Sequence, residues 1–257
     1  MTYMHAAMPP QIHITEAVEI CNPNGTFPAL LVCDHASPTL PPEVGDLRLD
    51  PAHLRDHIGV DIGIAPVVRA LSMLLDAPAV LTRHSRLMID CNRWIKDPTS
   101  IPEESDGVPI AGNVGLDFDA RAERWHRYFW PYHRTVHRMT TELRARHSAP
   151  LFVALHSCNR QFGDEHRDID AGTFWNYDRR LSDALLTGLG REKDLKLACN
   201  SPYSGFRGTS FTLDYHTWGS DLRACGVEIV NDLITTPGSQ AKWSARLADV
   251  LADIAQG

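Results

Sequence analysis

Apolar residues in this chain gather in short runs that are separated by longer stretches of mixed polarity. Four to six apolar residues bounded by a break are typical of a buried strand, and an amphipathic stretch is typical of a helix. The predicted strands are residues 28–34, 77–81, 87–90, 151–155 and 225–230. The predicted helices are residues 51–75, 119–146, 178–193 and 239–255. Strands that alternate with helices predict an α/β fold with a mixed, mostly parallel sheet flanked by helices.

Turn and breaker residues mark the segments outside these elements. Residues 1–27 carry Pro9-Pro10 and Asn22-Pro23-Asn24-Gly25, which predict an irregular N-terminal arm. We expect residues 1–257 to form a single catalytic domain that begins with this arm. Residues 94–117 form a long loop, and loops of this length inside a compact domain are usually binding loops or lids.

Two of the helical stretches contain a proline. Pro66 lies in the first turn of the strongly apolar part of helix 51–75, so we expect that helix to break near residues 59–61. Pro131 predicts a kink in helix 119–146.

Composition and charge exclude several classes of protein. The 257 residues are 43% hydrophobic and carry a net charge of −7, so a phosphate-backbone partner such as nucleic acid is not expected. No run approaches the ~20 apolar residues that cross a bilayer, and no secretory signal is visible in residues 1–12. The six cysteines form no CxxC pair, which favours a reduced, cytoplasmic protein. The oligomeric state cannot be predicted from these features.

Two predicted strands lead into a histidine. His35 follows strand 28–34, and His156 follows strand 151–155. Ligands in open α/β sheets bind beyond the carboxyl ends of strands, and a zinc hydrolase needs three protein ligands and one open position. We therefore predict one zinc ion per chain, held by these histidines and by Asp61 at the start of a helix. Asp34 and His57 are rival ligands, and the alternative role for Asp61 is a helix N-cap.

One acidic residue lies inside an apolar strand. Glu228 is surrounded by apolar neighbours within residues 227–230, so burial should raise its pKa. A carboxylate with a raised pKa suits a general base that works near neutral pH. The alternative is a glutamate paired with a cation on a solvated edge of the sheet.

Arginine and asparagine cluster around the predicted strand 87–90. Arginine binds carboxylates through two parallel hydrogen bonds and can stabilise an oxyanion. We expect Arg86 to act on the oxyanion and Arg93, with Asn92, to bind a substrate carboxylate. The alternative for Arg86 is structural pairing with Asp90 or Asp61.

Seven short motifs stand in order along the chain. They extend over about residues 28 to 247, and the seven together are specific although each is weak alone. They are Asp34-His35-Ala36-Ser37, His57-Ile58-Gly59-Val60-Asp61-Ile62-Gly63, Ser85-Arg86-Leu87 with Asp90-Cys91-Asn92-Arg93, Pro131-Tyr132-His133, His156-Ser157, Asn200-Ser201-Pro202-Tyr203-Ser204-Gly205 and Glu228-Ile229-Val230-Asn231-Asp232-Leu233. The N-formylglutamate amidohydrolase family shows these motifs in this order, so the chain resembles that family.

The resemblance implies an α/β fold like that of the zinc carboxypeptidases, and hydrolysis of an N-acyl amide on an acidic amino acid. An example is the conversion of N-formylglutamate to formate and glutamate. By the same resemblance His35 and His156 match the metal histidines. Asn92 and Arg93 match the pair that binds a substrate carboxylate, and Glu228 matches the base.

Two positions depart from the expected pattern. Carboxypeptidases place a glutamate three residues after the first histidine, and here Pro38 stands there, so Asp61 is inferred rather than matched. Val230 occupies the position at which an arginine is expected, two residues after the glutamate. Arg160 or Arg167, in the loop after the second histidine, could replace that cation.

These features predict a zinc-dependent amidohydrolase that acts on a small acidic N-acyl amino acid. Tyr203 and His216 lie in later segments and could line its pocket. One alternative is a carboxypeptidase-like hydrolase of a peptide or cell-wall amide. Another is a catalytically inactive protein that binds an acidic metabolite.

Overall fold

A mixed β-sheet forms the centre of the protein. The computed structural model describes residues 11–208 and 210–256. Eight of the strands in this part form the central sheet, and the other four form the small hairpins β5–β6 and β8–β9. The strands are β1 (Ile12–Ile14), β2 (Val18–Cys21), β3 (Ala29–Cys33), β4 (Ala79–Thr82), β5 (Glu104–Ser105), β6 (Val108–Pro109), β7 (Leu151–Cys158), β8 (Gln161–Phe162), β9 (Glu165–His166), β10 (Ala171–Phe174), β11 (Leu197–Cys199) and β12 (Arg223–Val230).

The topology of the sheet brings several strand ends to one edge. The strand order is β1-β2-β4-β3-β7-β12-β10-β11. The four central strands β4, β3, β7 and β12 are mutually parallel, while β2 and β10 run antiparallel to their central neighbours. The predicted mixed, mostly parallel sheet is confirmed. Because parallel strands end at the same edge, residues at the carboxyl ends of the central strands lie close together.

Helices cover both faces of the sheet. One buried cluster joins the sheet to α2, α5 and α7, and a second joins its other face to α4 and α6. Along β3, Leu31 belongs to the first cluster while Leu30 and Val32 belong to the second, as strand alternation requires. None of the described helices combines the length and apolar character needed to cross a bilayer. The helices are α1 (Pro51–Arg55), α2 (Ile64–Leu75), α3 (Phe118–Arg124), α4 (Trp130–Arg146), α5 (Arg180–Leu189), α6 (Phe211–Thr217) and α7 (Pro237–Gln256).

The predicted irregular arm is wrong where the structure describes it. Residues 1–10 lie outside the described residues, but β1 and β2 form an antiparallel pair that extends the sheet beyond β4. The alternation of apolar and polar residues in Ile12-His13-Ile14 and Val18-Glu19-Ile20 is the pattern of such strands. Because these two stretches are short and lie between breaker residues, the sequence alone predicted an irregular arm.

The predicted strand 87–90 is also wrong. Leu87, Met88 and Ile89 are buried, but they lie in a turn and in the irregular segment directly after it rather than in a strand. A short buried apolar run satisfies the core in either conformation, so periodicity cannot separate the two. Helix 51–75 breaks as expected, since α1 ends at Arg55 and α2 begins at Ile64.

The long predicted helix 119–146 contains a wider turn. A π-helical segment, Trp125–Phe129, joins α3 to α4. Pro131 follows this segment by two residues within the continuous helical run, so the wider turn stands where the proline lacks the N–H that an α-helix would use.

Candidate metal centre and active site

Three polar side chains meet at the carboxyl edge of the central strands. His35 follows β3 by two residues, and His156 lies near the end of β7. Glu228 lies in β12 directly opposite His156 in the parallel ladder. All three side chains are at least nine-tenths buried. The sheet register therefore creates a polar cluster in an otherwise apolar layer.

Asp61 reaches this cluster from the segment between α1 and α2. Its backbone N–H donates to the His35 carbonyl at 3.0 Å, which ties the segment to the end of β3. Gly63 then takes φ +80° as the N-cap of α2, and a Cβ there would lie 2.3 Å from the Ile234 carbonyl oxygen. The position requires glycine. Asp61 is not the N-cap, so its side chain is available to the cluster.

The Asp61 carboxylate faces one nitrogen of each histidine. Its Oδ1 lies 3.4 Å from His35 Nδ1, and its Oδ2 lies 3.0 Å from His156 Nδ1. One ligand atom from each of these residues lies within 4.8 Å of the other two. Two imidazole nitrogens and a carboxylate are a donor set used by catalytic zinc sites.

Two further carboxylates lie near the opposite nitrogens of the rings, and that of Asp90 is within hydrogen-bond distance. Asp90 Oδ1 lies 2.8 Å from His35 Nε2, and Asp34 Oδ2 lies 3.5 Å from His156 Nε2. A carboxylate on the far nitrogen orients a metal-binding histidine and raises its basicity. Asp34, a rival ligand in the sequence analysis, therefore lies behind a histidine. The other rival, His57, lies outside the cluster.

The cluster is rich in negative charge and therefore suits a cation. Burial disfavours the charged form of His35 and Arg86 lowers its pKa further, but Asp90 and Asp61 outweigh both and raise this pKa to about 9. Burial raises the pKa of Asp61, but the two histidines outweigh that effect and hold it below its ordinary value. His35 Nδ1 is buried and has no hydrogen-bond partner within the part of the chain that the structure describes. An uncompensated nitrogen beside a buried carboxylate fits a divalent metal ion.

Glu228 has the properties of a general base. Its side chain lines a cavity of about 410 Å³ that also exposes the three candidate ligands. Burial raises its pKa to about 7, although the neighbouring His156 acts in the opposite direction. Its Oε2 has no hydrogen-bond partner among the described residues. The salt-bridged edge glutamate considered from the sequence is not what the structure contains.

The predicted polar residues of segment 86–93 line the same cavity. Arg86 contacts Asp90 Oδ2 at 2.9 Å and Asp61 Oδ1 at 3.4 Å, so the structural pairing considered from the sequence is present. A guanidinium has five N–H donors, and these two contacts leave others for a ligand. Asn92 and Arg93 also line the cavity. The structure thus places Arg86, Asn92 and Arg93 in the cavity that the three candidate metal ligands also line.

A model of the N-formylglutamate amidohydrolase family matches residues 27–235, most of the chain and all of the cluster. The chain belongs to this family. The resemblance found in the sequence is therefore confirmed, and the protein is a hydrolase of the amidohydrolase type.

Two solved structures resemble this N-formylglutamate amidohydrolase family member. A gene product of Agrobacterium tumefaciens is 33% identical, with a TM-score of 0.87 over 93% of this chain and 94% of that one. An N-formylglutamate amidohydrolase from Ralstonia eutropha has a TM-score of 0.71 at 18% identity, over 94% of this chain and 98% of that one. At that identity the second comparison shows a shared fold. Among proteins with curated descriptions, none matches the chain significantly.

Arg160 does not lie where this family member would bind a substrate. Its guanidinium binds both carboxylate oxygens of Asp232, at 2.6 and 3.0 Å, and also contacts Asp170. Its side chain is not among the described residues that line the cavity. The structure therefore does not bring Arg160 to the candidate site, because Asp232 and Asp170 hold its guanidinium elsewhere.

Tyr203 and His216 are the two residues of later segments that were expected to line the cavity, and the structure places Tyr203 there. Tyr203 lines the cavity, and its hydroxyl accepts hydrogen bonds from Arg167. His216 instead contacts His133 at 3.1 Å between ring nitrogens, away from the cavity lining.

Phe174 in β10 is a cavity residue that the sequence patterns missed. Its ring centroid lies 5.6 Å from that of His156. The available signal was Gly226, the residue that pairs with Phe174 across β10 and β12. A glycine inside a strand marks the close approach of another group.

Proposed function

We propose that the protein is a zinc-dependent amidohydrolase that cleaves the amide bond of a small N-acyl amino acid such as N-formyl-L-glutamate. The products would be formate, or another acid, and the amino acid. The observation that supports this proposal is the buried cluster of His35, Asp61 and His156 beside Glu228. The cysteines are free, which supports the reducing cytoplasm as the location.

His35, Asp61 and His156 would hold one zinc ion per chain. When bound, zinc supplies a Lewis acid that polarises the acyl carbonyl and lowers the pKa of water. Asp90, which is hydrogen-bonded to His35 Nε2, would keep that imidazole ring in place as a ligand.

Glu228 would move the proton in the reaction. Its carboxylate accepts a proton from the water that attacks the acyl carbon, and then donates it to the leaving amide nitrogen. A pKa of about 7 allows both transfers near neutral pH. The C–N bond breaks as the nitrogen receives the proton, which leaves a carboxylic acid and an amine.

The arginines would position the substrate and its developing charge. Arg86 is fixed by Asp61 and Asp90, so its remaining N–H donors are preorganised for the oxyanion. Arg93, with Asn92 beside it, would bind the α-carboxylate of the substrate. Both groups line the cavity that contains Glu228.

Elemental analysis of the purified protein tests the metal site first. We expect about one zinc per chain in the wild type and little in His156→Ala, because that change removes one of three ligands. His57→Ala is the matched control, since His57 lines the same cavity but lies outside the cluster. Absence of metal from the wild type after zinc is supplied would contradict the proposal.

A substrate panel then tests the reaction. Formyl, acetyl and succinyl amino acids should be hydrolysed in preference to dipeptides. Faster cleavage of dipeptides would indicate a peptidase instead. Ligand-induced stabilisation with no turnover of any compound would indicate a binding protein.

A further inference from the structure

The start of α6 contacts Asn92 through three donors. The Phe211 N–H donates to the Asn92 carbonyl at 3.2 Å. The Thr212 N–H and the Ser210 hydroxyl donate to Asn92 Oδ1 at 3.1 and 3.3 Å. All of these residues are at least nine-tenths buried. These contacts hold both the backbone and the side chain of Asn92 against α6.

The contact from Thr212 decides which way the Asn92 amide faces. A backbone N–H can only donate, so the atom that it contacts must be the amide oxygen and not Nδ2. Ser210 and Thr212 together occupy both lone pairs of this oxygen. Asn92 Nδ2 donates to no group within the part of the chain that the structure describes. Because Asn92 lines the cavity, its amide offers a ligand there two N–H donors and no acceptor.

The Thr212 side chain fixes this turn to the edge of the sheet. Its hydroxyl donates to Asp34 Oδ1 at 2.9 Å, and Asp34 directly follows β3. Tyr132 of α4 donates to the same oxygen at 2.5 Å. Thr212 and Asp34 are both buried, so loss of the hydroxyl would leave this oxygen with one donor fewer and no bulk water to replace it. Thr212 thus joins α6 to the sheet with its side chain and holds Asn92 with its backbone.

Ser210 also directs its hydroxyl to Asn92. A serine before a helix usually accepts the N–H of the second or third helical residue and so caps the helix. Ser210 makes no such bond, and its hydroxyl donates to Asn92 instead. α6 is only seven residues long, and a helix of that length has little stability on its own. The polar groups at the start of α6 therefore contribute more to the position of Asn92 than to the stability of the helix.

We propose that Thr212 and Ser210 are positioning residues, which act through Asn92 to orient its two amide donors towards a ligand in the cavity. This inference rests on the proposed function, because that function assigns Asn92 to the α-carboxylate of the substrate. The Thr212 hydroxyl fixes the first turn of α6, and this turn holds Asn92 Oδ1. Without the hydroxyl the turn is released from Asp34, and the amide loses its fixed orientation. Thr212 is not among the described residues that line the cavity, so its effect on a ligand is indirect.

Binding of L-glutamate, the amino acid that the proposed reaction releases, tests the inference without turnover. Calorimetry on the protein as purified gives the dissociation constants of the wild type and its variants. We expect Asn92→Ala to weaken binding about 10- to 100-fold, the range for a hydrogen bond to a charged group. Thr212→Val should weaken it about 3- to 10-fold, and Thr212→Ser, which keeps the hydroxyl, should stay within ~2-fold of the wild type. No binding of glutamate by the wild type, or equal affinity in Thr212→Val, would overturn the inference.

A double-mutant cycle distinguishes positioning from a general loss of structure. If Thr212 acts through Asn92, Thr212→Val should have no further effect once the amide is removed. We therefore expect Asn92→Ala and the double variant to bind glutamate with the same affinity, within ~2-fold. An equal loss from Thr212→Val in both backgrounds would show that the role is only structural, and it would overturn the proposal.

Thr140→Val is the matched control for Thr212→Val. Thr140 is also a buried threonine, but its hydroxyl donates to the Val136 carbonyl within α4. The same substitution there should leave glutamate affinity unchanged, and an equal loss would overturn the assignment. Ser210→Ala keeps the test decisive if Thr212→Val does not fold, because it removes the other hydroxyl that holds the amide. A few-fold loss that disappears in the Asn92→Ala background would support the inference, and no loss would overturn it.

Zinc content is measured on the same preparations, because Asp34 Oδ2 also lies 3.5 Å from His156 Nε2. We expect the zinc content of Thr212→Val to equal that of the wild type. A loss of glutamate affinity that accompanies a loss of zinc would overturn the inference, since the effect would then pass through the metal site and not through Asn92.

Activity measurements separate this inference from the proposed function. The KM for N-formyl-L-glutamate should rise in Thr212→Val while kcat changes little, because the lost interaction binds substrate and transition state alike. A protein that hydrolyses no N-acyl amino acid but shows the coupling between Thr212 and Asn92 in glutamate binding would refute the proposed function and support the positioning role. Hydrolysis without that coupling would do the reverse.

Discussion

Two carboxyl groups of the cluster have opposite properties although both are buried. The histidines on either side of Asp61 hold its pKa below the ordinary value, so this carboxylate stays charged. Glu228 has less compensation, and burial raises its pKa to about 7. Environments that push two carboxyl pKa values apart assign one group to charge stabilisation and the other to proton transfer. In this site they support the proposed roles of Asp61 as a metal ligand and of Glu228 as the base.

Glu228→Gln should separate catalysis from metal binding. The amide has nearly the same shape but cannot accept the proton, so we expect kcat to fall by ~10²–10⁴-fold. Zinc content should stay at the wild-type value because the three candidate ligands are intact. Steady-state kinetics and elemental analysis on the same preparation give both numbers. Full activity in this variant would remove Glu228 from the mechanism.

Asp90→Asn should weaken the metal site without removing a ligand. Asp90 contacts His35 Nε2 at 2.8 Å, and loss of such a partner commonly lowers metal affinity ~10–100-fold. Competition with a chelator measures the change. Asp106→Asn is the control, since Asp106 lines the cavity but binds His57 instead. Equal zinc affinity in Asp90→Asn and the wild type would contradict the supporting role.

Sequence patterns identified cluster residues where local context was sufficient. His35 and His156 follow apolar runs, and Glu228 interrupts one, so their place at the sheet edge could be predicted. In contrast, the sequence could not predict whether an arginine is already paired with a carboxylate of the protein. Arg160 is paired with Asp232, 72 residues away, and no local pattern reveals such a partner.

At the scale of elements, β12 carries the proposed base, Glu228, and also a glycine against which a residue of the cavity wall packs. Phe174 pairs with Gly226 across β10 and β12, and a Cβ on Gly226 would lie 2.0 Å from the Phe174 ring. The ring therefore rests directly on the strand, and its centroid lies 5.6 Å from that of the His156 ring. Gly226 and Glu228 are two residues apart, so they occupy the same face of β12.

Gly226→Ala should displace the Phe174 ring and lower both stability and activity. Overpacking of this kind costs about 1–3 kcal/mol of unfolding free energy. A ring moved towards His156 should also reduce kcat/KM by roughly 10- to 100-fold. Urea unfolding and kinetics measure the two effects. Adding Phe174→Leu should restore much of the stability, and a Gly226→Ala variant as stable as the wild type would contradict this account.

Strands in the middle of the sheet were easier to predict than those near its edges. β3, β7 and β12 are buried on both faces and therefore appear as continuous apolar runs. β10 contains Gly172 and Thr173, and β11 spans only three residues, so neither forms such a run. Their pairing depends on β12 and on each other, which is information from the tertiary fold.

At the scale of the whole molecule, buried histidines outside the cluster link stability to pH. His84 is 1% exposed, and its Nε2 lies 3.5 Å from Cys91 Sγ. Burial lowers its pKa from 6.5 to about 3, although Asp90 acts in the opposite direction. The folded protein therefore keeps this ring neutral, whereas the unfolded chain protonates it below pH 6.5. Between these two values the unfolded state binds one more proton, so acid favours unfolding.

His84→Phe should remove the pH dependence that His84 contributes to stability. The new ring would still pack against Tyr128, whose ring centroid lies 5.3 Å from that of His84. As pH falls from 6.5 towards 3, the wild type should lose up to ~1.4 kcal/mol of unfolding free energy per pH unit through His84. Urea unfolding at pH 8, 6, 5 and 4 measures both proteins. The pH 8 pair gives the cost of the substitution itself, since both states are then neutral at this position. The variant should gain on the wild type at each lower pH. A constant difference would mean that His84 is not the group that couples folding to acid.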